Sequence, residues 1–573
     1  MYSKLPVLFF VLIGVIIEFA SSQNDFFDEE LMLKPLQSNH VYAYFQFTTI
    51  WETTKDTKSF QHSHLFPRGL GEIISRHNVD ELHLTLTKGL WNYQKWGYPY
   101  HDAAPGAEIS TWFHKDVDNV DDEWKGLTNA LAGLFCASLN FVNPSNSMSP
   151  EFTFRPTGVV EHRVNSSHLR YSSLPREIVC TENLTPFKKL LPCNSKKGLA
   201  TLLNSAYIHN TNYHSIGIHF RVICSNAQCT KTSLELRQSV SLIYDITTDV
   251  SQFVLQDWSV RKFFGMGIRG ACPLATLSNV YIDVSSNNTN HIYELIPAPS
   301  VKIVSLRGGQ LNEIAVYDIR SHSTRGMFNI GVVHNITYKA NLYYPSILYA
   351  NRYIIGYGQE RGSLITKIYN NYWQPLDVVL LENIPWYLPV YLHSVTITCG
   401  AKRIVPLVQR YLPGKERKSP YYLELILRLP PQSVTKFSIE MDYSFLKWQE
   451  YPPDANHGFY MGPAIITALL PIARNYTALP FDGSTITSSF NASREGYVVQ
   501  LRTESILISL PTPDFSMPYN VLCLACTAVA LAFGPLHNIS TKRLILKQVE
   551  MDWKEMLFSF IMNRIVKPKK KQE

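Results

Sequence analysis

The stretch Met517–Leu536 carries no charged residue and is apolar over almost its whole length. A helix needs about 20 such residues to cross the ~30 Å hydrocarbon core of a bilayer. This run therefore divides the 573-residue chain into a large part on one side of a membrane and a short part on the other. Tyr519 marks one interface, and Lys542, Arg543 and Lys547 follow at the far end. Basic residues directly after a span assign that side to the cytosol. At the N-terminus, Lys4 precedes an apolar run from Leu5 to Ile17, and Ala20 and Ser22 form a small-x-small pattern before Gln23. The run is shorter than a span needs and reads as a cleaved secretory signal, residues 1–22. An uncleaved N-terminal anchor is the alternative, because Glu18 sits late in the segment. The expected organisation is single-pass type I, with a luminal body, a transmembrane helix over residues 517–536 and a basic cytosolic tail over residues 537–573.

Charge agrees with this division. The formal net charge is +7. From His537 onward there are nine Lys and Arg against four Asp and Glu, so the tail holds +5 and only +2 is left for the body. Nucleic-acid binding needs a clustered basic face, and the body shows none. Sequons at Asn165, Asn183, Asn287, Asn335, Asn475 and Asn491 are spread through the body. Each is weak alone, but together they fit a luminal glycoprotein. Asn165, Asn287 and Asn335 are the preferred acceptors, because Pro186 follows the Asn183 triplet and impairs acceptance there. Asn538 also matches, but it abuts the span and should stay bare.

Tyr (32) and Phe (29) are plentiful, which suits β-structure. Val41–Trp51, Glu81–Thr87, Glu108–Phe113, Tyr213–Val222 and Thr232–Thr247 read as strands, Glu81–Thr87 as a half-buried one. Leu65–His77 reads as a short helix. A second helix is expected from a cap at Asp121 or Asp122 to about Leu139, with Cys136 buried on it. From Val301 to Leu510 strands dominate: Lys302–Leu306, Glu313–Tyr317, Val332–Tyr344, Leu388–Thr398, Tyr422–Arg428, Thr435–Tyr443 and Tyr497–Leu510. Turn signals such as Pro413-Gly414 and Pro430-Pro431 separate them. The fold class is mainly β with some α: sandwich-like luminal domains plus one C-terminal transmembrane helix. The polar break Ser285–Asn290 suggests a division into a mixed α/β half, residues 23–285, and a β-rich half, residues 286–516. In the tail, Leu546, Val549, Trp553, Leu557 and Phe560 recur at helical spacing. They suggest an amphipathic helix on the cytosolic leaflet or against a partner helix.

Catalytic signatures are missing. There is no H-E-x-x-H helix and no G-x-S-x-G elbow. His62 and His64 read as an exposed pair rather than metal ligands, and Asp121 with Asp122 as a helix cap rather than a glycosidase dyad. The segment Tyr451–Tyr460, YPPDANHGFY, reads as a rigid turn, since Pro-Pro and Asn-His-Gly are turn chemistry. A partner or substrate contact is its other reading. Cysteines are more telling. Cys136, Cys180, Cys193, Cys224, Cys229, Cys272 and Cys399 precede the span. Their number is odd, so at least one is free or bonded to another chain. The spacing of Cys224 and Cys229 permits a disulfide closing a hairpin loop. A metal site would need further Cys or His nearby. Cys180 lies in a Pro-rich, acidic, accessible segment, Leu174–Cys193. It can pair with Cys193 or with another chain.

That segment resembles the PIG-T family of glycosylphosphatidylinositol (GPI) transamidase subunits. The resemblance extends to Glu81–Leu84 with Trp91 and Trp96-Gly97, Gly133–Asn140, Ala271–Ala275, Glu450–Tyr460 and Pro513–Asn520, in family order. It implies a non-catalytic scaffold in the endoplasmic reticulum membrane. The implied partners are the caspase-like catalytic subunit PIG-K, PIG-S, PIG-U and the multi-spanning anchor-attachment subunit, with the GPI lipid and proprotein reached through the complex. It also implies that Cys180 is bonded to PIG-K. It implies no catalytic residue, cofactor or metal. The chain itself shows neither a caspase-type Cys segment nor a matching His-Gly site. The C-terminal Lys570-Lys571-Gln572-Glu573 resembles a dilysine retrieval signal, with a basic flank for acidic lipids as the plainer reading. A type I cell-surface receptor or adhesion ectodomain is the alternative function.

Overall fold

The structure is a computed structural model. It describes residues 25–36, 40–52, 65–159, 166–194, 196–225, 228–229, 232–245, 256–284, 293–307, 310–322, 327–334, 346–356, 360–452, 454–471, 496–514, 516–544 and 552–565. These form two compact units. The first is the body up to Lys447 together with Tyr451–Pro511, and the second comprises Trp448–Glu450 with Thr512–Glu573.

The body begins with β1 (Asp25–Pro35), β2 (His40–Trp51), β3 (Val79–Lys88), β4 (Gly106–Phe113), β5 (Ser147–Met148), β6 (Leu169–Leu174), β7 (Tyr213–Cys224) and β8 (Thr232–Asp245). It continues through β9 (Gln256–Ser259), β10 (Leu277–Asp283), β11 (Tyr293–Ile296), β12 (Val301–Arg307) and β13 (Gln310–Asp318). Eleven of these make one sheet in the order β12-β13-β10-β1-β2-β8-β7-β3-β4-β6-β5. Pairing is antiparallel except between β1 and β10. The expected division at residue 285 falls inside this sheet, because β12 and β13 pair with β10 from beyond it.

Alternation along β2 shows how the sheet is used. Val41, Ala43, Phe45 and Phe47 enter the main apolar core. Three helices add to that core: α1 (Arg68–Arg76), α2 (Val120–Phe135) and α3 (Thr181–Lys189). They contribute Leu70, Ile74, Trp124, Leu127, Leu131, Phe135, Leu184 and Phe187. The opposite face carries Tyr42 and Tyr44, whose rings meet Trp91 and Tyr100 at centroid distances of 5.1 and 4.8 Å. The aromatic loop after β3 thus roofs this face. As a result β3 is buried on both faces rather than half-buried. Its His83 takes part in a buried polar cluster with Glu81 and His219.

The rest of the body is built on two five-stranded sheets. One contains β15 (Leu348–Ile355), β16 (Arg361–Asn370), β18 (Val390–Cys399), β19 (Lys402–Arg403) and β22 (Ser433–Asp442), after the short β14 (Gly331–His334). The other contains β17 (Leu376–Ile384), β20 (Val408–Leu412), β21 (Tyr421–Leu429), β24 (Ile465–Pro471) and β25 (Gly496–Arg502). A short pair, β23 (Phe459–Met461) and β26 (Ile506–Ile508), lies beside them. The two sheets meet through a fully buried ion pair, Arg352 on β15 to Glu382 on β17 at 2.7 Å, with Thr366 on β16 bonded to the same carboxylate. The expected strand Tyr497–Leu510 is interrupted between β25 and β26.

Polar bonds join the sandwich to the first sheet. Arg502 on β25 reaches Glu108 on β4 at 3.1 Å, both nearly buried. Glu424 on β21 accepts the backbone N–H groups of Phe152 and Thr153 at 3.0 and 2.7 Å.

In the second unit, α4 (Ser516–Thr541) is long and apolar enough to cross a membrane, the one such helix among the described residues. None of its side chains is buried. It runs five residues past the expected end at Leu536 and carries Pro535 inside it. Helix α5 (Trp553–Ile565) follows. Its large apolar residues include Trp553, Met556, Leu557, Phe558, Phe560, Ile561 and Met562, all exposed. They cover far more of its circumference than the single stripe expected of an amphipathic helix.

Candidate partner-linkage site

Cys180 stands at the N-cap of α3 with extended backbone, half-exposed and unbonded. Three prolines suggested an irregular segment here, but α3 forms because its register is locked from inside. Leu184 and Phe187 are buried against α2. Pro186 is tolerated in so short a helix because its ring removes only one intrahelical donor. Asn183, also buried, does the capping. Its Oδ1 accepts the Cys180 N–H at 2.8 Å, and its Nδ2 donates to the carbonyls of Phe135 and Cys136, both at 3.0 Å. One side chain therefore closes the start of α3 and the end of α2 together. An amide so engaged is not a glycan acceptor, which removes Asn183 from the set of sequons.

The helix α2 is shorter than expected. Its N-cap is Asn119, whose Oδ1 accepts the Asp122 N–H at 3.4 Å, not Asp121 or Asp122. It ends at Phe135, and Cys136 turns into the left-handed region with φ 52°. That turn carries the Cys136 thiol out of the core, so Cys136 is exposed rather than buried. Glu177 then accepts the Ser138 N–H at 2.9 Å and ties the two segments side by side. The flanks are apolar and open: Ile178 is 81% exposed and Phe141 66%. An exposed isoleucine two residues from a free thiol suits a surface made for another protein.

The far end of the segment is fixed covalently. Cys193 is bonded to Cys272, with Cα atoms 5.9 Å apart. Cys193 is therefore not the partner of Cys180. Behind this bond lies Glu29 of β1, accepting from Leu199 N, Cys272 N and Ser278 Oγ at 2.9, 3.0 and 2.6 Å. Burial raises the Glu29 pKa, and these donors work against that rise. Gly198 approaches the same carboxylate with φ 79°, and a Cβ there would collide with it. The chain bearing Cys180 is thus held at both ends by buried polar groups.

Cys224 at the end of β7 is bonded to Cys229 across the β7–β8 turn, with Cα atoms 4.8 Å apart. Cys136, Cys180 and Cys399 are the free thiols of the body. Cys523 and Cys526 are exposed on α4. Asn165, Asn287, Asn335, Asn475, Asn491, His62, His64, Lys570 and Lys571 lie outside the described residues. Tyr451–Tyr460 forms a turn: Asp454 caps a short helical turn over Ala455–His457, and β23 follows.

Sequence reasoning missed the buried charge. His83 Nε2 lies 2.6 Å from Glu81 Oε1, and its Nδ1 lies 3.0 Å from His219 Nδ1. His101 packs on His219 at 4.0 Å. Burial first, then neighbouring positive charge, holds His101 and His219 well below the usual imidazole range. Burial would raise Glu81, but His83 and the N–H groups of Thr157 and Gly158 pull its pKa down. The period-two alternation of ELHLTLT and IGIHFRV indicates one buried face, and nothing in it signals that the polar face is covered as well. Among the described residues no group of three or more His, Cys, Asp or Glu is placed to hold a metal ion.

Comparison with known proteins brings these features to one family. The family model described as "Gpi16 subunit, GPI transamidase component" matches residues 9–254 and 250–565. The chain is 41% identical to the GPI-anchor transamidase component PIGT of Mus musculus over 91% of its length and 90% of that protein. It is equally similar to the Homo sapiens component, covering 91% of each. Identity to the GPI transamidase component GPI16 of Saccharomyces cerevisiae is 28%, over 98% of this chain and 96% of that one. With near-complete coverage on both sides, the chain belongs to the Gpi16/PIG-T family of GPI transamidase components.

Proposed function

We propose that this chain is a non-catalytic scaffold of the GPI transamidase, holding the catalytic PIG-K subunit through a disulfide from Cys180. The observation that carries this is the Cys180 thiol. It is half-exposed and unbonded, on a helix start fixed by Asn183, with the exposed Ile178 two residues before it. A covalent tether makes every other contact between the two chains intramolecular, which raises their effective concentration to about the millimolar range. The proposed setting is the endoplasmic reticulum membrane, type I, with a luminal body glycosylated at Asn165, Asn287 and Asn335. Lys570 and Lys571 act there as a retrieval signal. PIG-S, PIG-U and the multi-spanning anchor-attachment subunit complete the proposed assembly, and GPI lipid and proprotein engage the complex rather than this chain alone. The test is Cys180→Ser. It should abolish a reducible high-mass band containing both subunits and lower transamidation without abolishing it, because non-covalent contacts remain. A band that survives in Cys180→Ser contradicts the reading.

A further inference from the structure

One rim of the sandwich is the open edge of both of its sheets. β19 ends the order β15-β16-β22-β18-β19, and β20 ends the order β20-β21-β17-β24-β25. Only residues 404–407 separate the two strands, so one continuous segment forms both edges. Across residues 400–419 no residue is buried. β20 therefore buries neither face, although an antiparallel strand ordinarily packs one face on a core. The rim is nonetheless well formed. β20 pairs with β21 over its whole length, Leu407 N donates to Ile426 O at 2.8 Å, and at the hairpin tip Lys415 N donates to Ser419 O at 2.9 Å.

Two properties of this rim identify what it meets. The first is charge. Lys402, Arg403, Arg410, Lys415, Arg417 and Lys418 stand against Glu416 alone, a net +5 within 17 residues. The region before the tail holds +2 in total, so the rest of it is net acidic. Against expectation, the body does carry a clustered basic face. Arg410 is paired with Glu151, and Arg417 with Glu416 and the Trp386 ring. Lys402, Arg403, Lys415 and Lys418 are exposed and have no acidic partner among the described residues. The second property is the strand edge. The outer side of β20 presents a row of N–H and C=O groups that no strand of the body pairs. Around it Val405 is 77% exposed, Leu407 56% and Leu412 50%. Lysine and arginine on an edge guard against pairing with another copy of the same strand, because like charges would meet. They leave the edge open to a strand of opposite charge.

We infer that β20 and its flanks are a docking edge for an acidic, extended segment of another protein chain. That segment adds to β20 as a further strand through main-chain hydrogen bonds. Its apolar residues cover Val405, Leu407 and Leu412, and its Asp or Glu side chains meet Lys402, Arg403, Lys415 and Lys418. A phosphate-bearing membrane would satisfy the charges but not the row of backbone groups. The contact is separate from the Cys180 link, which stands on α3 against the core of the first sheet.

The test uses the full-length chain assembled with its partners in native membranes. Leu407→p-benzoyl-phenylalanine places a photoreactive group on the edge, and irradiation followed by peptide mapping identifies what lies there. The expected adduct joins residue 407 to a segment of a different chain that is rich in Asp and Glu. A second sample also carries Lys402→Glu, Arg403→Glu, Lys415→Glu and Lys418→Glu, and its adduct yield should fall about tenfold or more. Adducts to lipid, to a second copy of this chain or to a segment without acidic residues would overturn the inference. So would no adduct, or a yield that the charge reversals leave unchanged. Val405→p-benzoyl-phenylalanine repeats both samples from a second position, so poor expression of one variant does not leave the question open. All six positions are exposed, so the substitutions leave the core untouched.

Discussion

Asn183 shows how much one side chain can hold in this fold. It satisfies the Cys180 N–H and two carbonyls at the end of α2. Asn183→Ala leaves the buried Phe135 carbonyl and the part-buried Cys136 carbonyl and Cys180 N–H without this partner. An unsatisfied buried group costs about 1–3 kcal/mol, and partial relaxation should bring the total to roughly 3 kcal/mol. Thermal melts of the purified chain should show the loss, and the link through Cys180 should weaken with it because α3 frays at its first turn. Glycopeptide mass spectrometry should find no glycan at Asn183 in the wild type. The residue also marks a limit of sequence reading. Asn-Leu-Thr reads as a surface acceptor by pattern, and nothing local reveals that the amide is spent on carbonyls 47 and 48 residues away. Cys180 was legible for the opposite reason. Its Pro-rich, acidic surroundings are local, and they do leave it partly open. Cys136 was misjudged because helical spacing continued past Phe135 while the backbone had already turned left-handed.

At the level of elements, strands with clean alternation were readable, and strands carrying buried charge were not. β2 and β8 stand close to where the pattern puts them. β1, DFFDEELMLKP, reads as polar, yet it is central to the eleven-stranded sheet with Glu29 and Glu30 buried. Those carboxylates are tolerated only because donors from distant segments converge on them, which sequence spacing cannot display. β16, β17 and β24 went unseen because apolar and polar residues do not alternate strictly along them, as in LDVVLLENI and IITALLP. The Cys193–Cys272 bond links such distant segments across 79 positions. A loop of that length is worth about 4.5 kcal/mol in the chain-entropy account. The double variant Cys193→Ser/Cys272→Ser should lose about 2–4 kcal/mol of stability by chemical denaturation, whereas Cys224→Ser/Cys229→Ser, closing only a short turn, should lose less.

The whole body depends on the contact between the first sheet and the sandwich, and one acid there makes that contact sensitive to pH. Asp102 accepts from the Gln500 N–H and from the Tyr93 hydroxyl, both at 3.2 Å. Burial pushes its pKa up to about 7 against the pull of Arg502. Between the unfolded value of 3.8 and about 7, the folded chain keeps a proton that the unfolded chain has released. Stability from this group therefore falls as pH rises across that window and is level above it. Asp102→Asn is neutral at every pH. Relative to wild type it should gain stability from pH 4 to 7, by about 1.4 kcal/mol per unit at most, with no further change above pH 7. Parallel melts at stepped pH measure this directly, and the depressed histidines His101 and His219 cancel in the comparison. The body is one unit rather than two halves split at residue 285, because the sheet itself runs past that point and the joining charges are buried.

The proposed role of this chain turns on Cys180 as the thiol bonded to another chain. Non-reducing peptide mapping of the purified complex, with free thiols alkylated before digestion, tests it most directly. The predicted result is a disulfide-linked pair of peptides, one containing Cys180 and the other from the catalytic subunit, with Cys136 and Cys399 recovered alkylated. Recovery of Cys180 as an alkylated free thiol, with Cys136 or Cys399 carrying the link or no link at all, would contradict it.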